Sequence, residues 1–249
     1  HAYQRAFREI SMRLSDRLDH DEWIQLYKDL VYWELKLGKG ADSDMLEILN
    51  AQKTEANQQF SKFIENSYMD WMQSGEDKPL LSNQVFEQTI IPSLGSKPVF
   101  VFVVDCLRYD QWKVIQQELS SYFITEKDDC YYSILPTTTQ YARNALFSGL
   151  LPSDIQKKFP DKWIDEDDDE SKNNYEEFFQ KELLKRKGLN LKTKYEKITN
   201  LSKAKKVVDN LHQYFQNDLT TIVYNFVDAL SHARTDTKII RELAEDEKA

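Results

Sequence analysis

The chain has 249 residues and a net charge of −9, with 41% hydrophobic and 30% charged residues, the make-up expected of a soluble globular protein. No stretch approaches the roughly 18 apolar residues of a membrane span, and so acidic a chain lacks the basic face that non-specific duplex DNA binding requires. Two cysteines, Cys106 and Cys130, suit a reducing cytoplasm rather than a disulfide scaffold, and Cys106, beside a strand end, is expected to be a buried thiol.

The first 95 residues read as helical. One helix is predicted from Tyr3 to Leu18. A second starts near Asp19, where an acid at the cap and Glu22 three residues on make a capping box. Trp23, Leu26, Tyr27, Leu30 and Trp33 follow at helical spacing, and Gly38 marks the stop. A third, long helix starts near Ser43 and carries Met45, Leu49, Ala56, Phe60, Phe63, Ile64 and Trp71 at three- and four-residue steps. Three such helices form a small bundle over residues 1–95, with the aromatics in its core. Ahead of a catalytic domain, a bundle of this kind is a spacer or a homodimerisation element.

After Pro98 the texture changes. "VFVFVV" (Val99 to Val104) is a continuous β-favouring run, the mark of a strand buried on both faces of a parallel sheet. A helix over Trp112 to Leu119 follows, then a strand in "CYYSIL" (Cys130 to Leu135) and a helix in "TQYARNALFSG" that ends at Gly149. "DEDDDE" (Asp165 to Glu170) reads as a solvated acidic loop. Beyond it come a helix over Asn174 to Lys187, an edge strand in "LKTKYEKI", a helix over Lys203 to Phe215 and a buried strand in "LTTIVYNFV". Strands alternating with helices over residues 96–249 predict an α/β fold with a mainly parallel sheet flanked by helices.

Two of the apolar strands run into an aspartate, Asp105 and Asp228. Singly, each reads as a turn or cap residue. Open parallel sheets bind ligands at the carboxyl ends of their strands, where two such carboxylates can meet. His232 follows Asp228 by four residues in "VDALSHA", a spacing at which the two can share a divalent metal on one helical face. "LPTTTQYARNALFSG" delivers three threonines to the start of a helix. Helix capping is the plain reading. The chemical reading is a hydroxyl nucleophile, held in the positive potential of a helix N-terminus and activated by a metal.

These residues resemble the alkaline phosphatase superfamily. "VVDCLRYD" looks like its first metal-binding motif, and "PTTTQYARNALFSG" like its nucleophile motif, with Pro136 three residues before Thr139 and Gly149 ten after. "VDALSH" looks like the Asp-x-x-x-His pair of phosphodiesterase-type members. The phrasing is similar to the PglZ branch, and the helical front half, "SDRLDHDEWIQLYKDLVYWELKL" with "AQKTEANQQF", resembles the linker bundle of PorX-type response regulators tied to type IX secretion.

The resemblance implies a cytoplasmic phosphodiesterase or phosphatase that uses two zinc ions. Asp105 would share the second zinc with the nucleophile Thr139, itself a ligand, and Asp228 and His232 would hold the first. Thr138 is the alternative nucleophile if the register shifts by one. Arg108 and Arg143 would steady a phosphate or the motif backbone, with a structural ion pair the stronger reading for Arg108. The implied partners are a nucleotide-type phosphodiester substrate, a sensor histidine kinase acting on a receiver domain, and secretion-system or transcription proteins. The superfamily completes its site with a later Asp-His pair and a final His. His1, His20 and His212 lie in no matching motif, and the chain runs out in "LAEDEKA", inside what reads as a helix. A fragment lacking the receiver and the last part of the PglZ domain is therefore expected.

Two other readings compete. One is a non-catalytic signalling module that docks partners through an enzyme-like fold. The other takes "VFVVD" as a receiver phosphorylation strand, but no paired acid or late lysine falls in register with it.

Overall fold

A computed structural model describes residues 2–38, 43–73, 78–163 and 173–236, with side chains from Tyr3 to Ser231. The acidic loop expected at Asp165 to Glu170 lies outside the described residues. The chain forms two compact units, His1–Leu80 with Arg108–Cys130, and Leu81–Leu107 with Tyr131–Ala249.

The first unit is built on helices α1 (Ala2–Leu14), α2 (His20–Leu37) and α3 (Ser43–Met72). The predicted capping box is formed. Asp19 Oδ1 accepts the N–H groups of Asp21 and Glu22, both at 2.9 Å, and Glu22 Oε2 accepts the Asp19 N–H at 2.9 Å. That cap ends α1 earlier than predicted, because the chain must leave the helix after Leu14 to bring Asp19 into extended backbone. Phe7, Ile10, Leu14, Trp23, Leu26 and Leu49 make the buried core, with Phe60 and Phe63 packed against it. Gln52, buried, ties α3 to α1 by donating to Phe7 O at 2.6 Å and Ser11 Oγ at 2.8 Å. A fourth helix, α4 (Tyr109–Leu119), belongs to this unit. It starts three residues before the predicted Trp112, because Gln111 Oε1 accepts the Arg108 N–H at 3.0 Å and closes the first turn.

The second unit holds a three-stranded parallel sheet of β1 (Val99–Val104), β2 (Thr193–Ile198) and β3 (Leu219–Tyr224), in the order β1-β3-β2. Helices α5 (Thr139–Ser148), α6 (Pro152–Lys158), α7 (Glu176–Arg186), α8 (Leu201–Asp209), α9 (Leu211–Tyr214) and α10 (Phe226–Asp236) accompany it. This is the expected α/β class, a parallel sheet flanked by helices. Phe86, Phe147, Phe179, Leu183, Leu219 and Val223 form its largest buried cluster.

Three local expectations are corrected. Burial on both faces holds for the central strand β3, from Leu219 to Val223, but not for β1, an edge strand whose Phe102 is 64% exposed. "CYYSIL" is not a strand. Its Tyr132 makes one isolated bridge, to Leu81, and the neighbouring chain turns into a 3-10 helix at Ser82, so no ladder can extend. The helix expected over Lys203 to Phe215 breaks at Asn210, whose side-chain amide donates to the Lys206 carbonyl at 2.8 Å and caps α8. Among the described residues no helix is long and apolar enough to cross a membrane.

The sheet register positions everything that follows. Val99 pairs with Leu219 and Val104 with Tyr224, while Thr193 pairs with Leu219 and Ile198 with Tyr224. The three strands therefore end level, and the residues that leave β1 and β3 emerge side by side.

Candidate active site

Asp105 is the first residue beyond β1, and its N–H donates to Tyr224 O at 3.2 Å, continuing the ladder by one bond. The chain then turns sharply at Cys106, which takes a left-handed φ of 60°. Asp228 stands in the first turn of α10, where the helix dipole favours a carboxylate. An oxygen of Asp105, an oxygen of Asp228 and the Cys106 sulfur all lie within 4.8 Å of one another. β3 stops at Tyr224, short of the predicted strand that ran on to Val227, so Asp228 begins a helix rather than ending a strand, yet the two aspartates are brought together.

Cys106 is exposed rather than buried, because the strand ends before it and the turn carries it outward. Its Sγ donates to Asp228 Oδ1 at 3.0 Å. Desolvation of the sulfur, that hydrogen bond, and the charges of Asp105 and Asp228 push the thiol up to about 12.

Arg143 is the hub of the site. It projects from α5 and is only 6% exposed. Nη1 donates to Asp105 Oδ2 at 2.8 Å and to Asn225 Oδ1 at 3.4 Å, and Nη2 donates to Glu176 Oε2 at 2.7 Å. The Tyr195 hydroxyl donates to the same Glu176 oxygen at 2.5 Å. Burial alone would lower the Arg143 pKa, but the charges and hydrogen bonds of Glu176 and Asp105 outweigh it and raise the value. Burial, with the Glu176 charge and hydrogen bond, likewise raises the Tyr195 hydroxyl.

α5 also meets α7 at Gly149. This glycine ends α5 with a φ of 66°, and a Cβ there would stand 2.8 Å from Leu183 Cδ1. Arg186 Nη2 also donates to Ser148 O, so the two helices are joined at both Arg143 and Ser148.

Thr139 is the first residue of α5, half-buried, four residues before Arg143 and so on the same helical face. Thr138 occupies the N-cap position and is exposed, yet makes no side-chain capping bond. Threonine capping therefore does not account for this stretch. Arg108 belongs to the first unit, where it forks onto Asp110 at 3.0 and 2.9 Å, an ion pair that raises its pKa through the Asp110 hydrogen bond against some desolvation. The backbone of His232 lies on α10, one turn after Asp228, and its side chain is outside the described residues.

Three contributors escaped the sequence reading: Glu176, Tyr195 and Asn225. Glu176 looks like an ordinary acid in the first turn of a helix, and only the burial of Arg143 makes an acidic partner necessary.

The donor set suits a divalent cation. Two carboxylates and a thiol within one ion's reach are the ligand types that zinc accepts. Asp105 Oδ1 takes no hydrogen bond among the described residues, while Oδ2 is held by Arg143.

Comparison with known families gives two matches. Residues 1–72 match the family described as the PorX response regulator linker domain. Residues 85–249 match the one described as the BREX system PglZ alkaline phosphatase-like domain. No curated protein matches the chain.

Proposed function

The chain belongs to the PglZ alkaline phosphatase-like family and carries a PorX-type response regulator linker ahead of that domain, and from that premise we propose that it is a zinc-dependent phosphodiesterase with Thr139 as its nucleophile. The observation that carries the reading is the meeting of Asp105, just beyond β1, with Asp228, in the first turn of α10 after β3, while Arg143 ties Asp105 to the helix that Thr139 begins.

Asp228 and His232, on one helix, would hold the first of two zinc ions, and Asp105 with Thr139 from α5 would hold the second. Zinc bound there would neutralise phosphate charge and lower the pKa of a neighbouring hydroxyl. The residues of the chain do the rest. The first N–H groups of α5 point out of the helix and receive a phosphate oxygen. Thr139 Oγ1 then stands at the same helix end, in position for in-line attack on phosphorus. A phospho-threonine forms, the alcohol leaves, and hydrolysis restores Thr139. Arg143 faces inward in this scheme and holds Asp105 rather than substrate. Nucleotide-type phosphodiesters are the substrate class, and the setting is a cytoplasmic response regulator of type IX secretion, driven by a sensor kinase.

Turnover of bis-p-nitrophenyl phosphate by the zinc-loaded protein tests this. Thr139→Ala should abolish hydrolysis while zinc binding persists through the carboxylates. A protein that binds no zinc, or a Thr139→Ala variant with unaltered turnover, refutes the reading and leaves a partner-docking module in its place.

A further inference from the structure

Arg143 and Glu176 stand where substrate cannot reach them, yet one of them grips a residue placed in the metal site. Glu176 is fully buried and Arg143 nearly so. Buried charges of this kind are weak sources of stability, because desolvation offsets most of their attraction. Their hydrogen bonding is also incomplete: Arg143 Nε and Glu176 Oε1 are buried without partners among the described residues. A cluster selected for stability alone would be expected to satisfy those atoms or dispense with the charges.

The pattern fits a different task. The guanidinium spans three elements, with Asp105 after β1, Asn225 after β3 and Glu176 at the start of α7. It holds Asp105 Oδ2 at 2.8 Å and thereby restricts how the carboxylate that meets Asp228 and Cys106 can turn. A guanidinium alone would also draw electron density from Asp105 and repel a nearby cation. Glu176 offsets that charge from the far side, at 2.7 Å. Lys197, the other cation coupled to Glu176, is engaged elsewhere and donates to Asn173 O at 3.3 Å.

We propose that Glu176, acting through Arg143, is a positioning residue for Asp105: it orients the carboxylate and keeps it electron-rich enough to bind a divalent cation. The proposal rests on the zinc-dependent reading above. Outer partners of a metal-ligating carboxylate of this kind typically change metal affinity about 10–100-fold when removed.

The test is zinc titration of the metal-free protein by calorimetry, which needs no turnover. Glu176→Gln keeps the shape and the acceptor oxygen but removes the charge, and should weaken zinc binding by about tenfold or more. With Asp105→Asn already in place, the same substitution should have little further effect, because its route to the metal is gone. An unchanged affinity in Glu176→Gln overturns the proposal, as does an equal loss with Asp105→Asn present, which would mark a general structural effect. Should Glu176→Gln not fold, Arg143→Lys carries the same test against the same two outcomes, since an ammonium lacks the planar fork that grips both carboxylates in one fixed geometry. Failure of the wild-type protein to bind zinc would overturn the enzyme reading and this proposal together, whereas normal wild-type binding with insensitive variants overturns this proposal alone.

Discussion

Arg143→Met isolates the cost of the buried ion cluster. Methionine fills much of the arginine's volume but abandons Glu176 Oε2, which then keeps only the Tyr195 hydroxyl. Removing one partner of a buried pair typically costs about 3–5 kcal/mol, because the other charge stays buried and uncompensated. Glu176 is 0% exposed, so water cannot screen it in place. For a chain of this size each kcal/mol moves the unfolding midpoint by about 2–4 °C, giving a loss of about 6–20 °C. Thermal unfolding followed by circular dichroism measures it. The second arm adds Glu176→Gln to Arg143→Met. Neutralising the orphaned acid should recover part of the loss, so the double variant should be more stable than Arg143→Met alone. If Arg143→Met costs less than about 1 kcal/mol, or if the double variant is no better than the single, the cluster is not coupled as its geometry indicates.

Two further outcomes follow from the same site. Gly149→Ala should destabilise by about 1–2 kcal/mol, chiefly the left-handed backbone penalty at φ 66°, with the 2.8 Å overlap relieved by a shift of the Leu183 tip, and thermal unfolding reads it directly; no measurable loss would refute the left-handed helix end at Gly149. In the metal-free protein Cys106 should react slowly with iodoacetamide at pH 8 although it is exposed, because a thiol raised to about 12 is almost wholly protonated there, and its rate should keep climbing with pH past the range where an ordinary thiol levels off. Mass spectrometry of the alkylated peptide checks this, and a plateau near pH 9 would contradict it.

What was legible in the sequence is what local chemistry decides. Asp19 and Glu22 declare a capping box because the partners are three residues apart, and the box forms. The apolar runs at Val99 and Leu219 declare strands, and the level register of their ends lets Asp105, after β1, meet Asp228, in the helix that follows β3. What failed depended on distant partners. "CYYSIL" has strand composition, but strand formation needs a neighbour, and Leu81 offers only one pairing position. Cys106 reads as buried only if β1 is internal to the sheet, and β1 lies at its edge.

Arg143 shows why candidate residues can be read from a sequence while the contacts that hold them cannot. An arginine four residues after a candidate nucleophile reads naturally as a phosphate ligand, because its reach and charge suit that role. Its actual orientation is set by ion pairs to Asp105 and to Glu176, 33 residues further along the chain. Glu176 announces no role in isolation, being an acid in a helix's first turn. Gly149 likewise reads only as a helix end, and its lack of a side chain leaves room for Leu183 of α7 beside it. The buried guanidinium therefore links the end of β1 to the start of α7 instead of facing solvent.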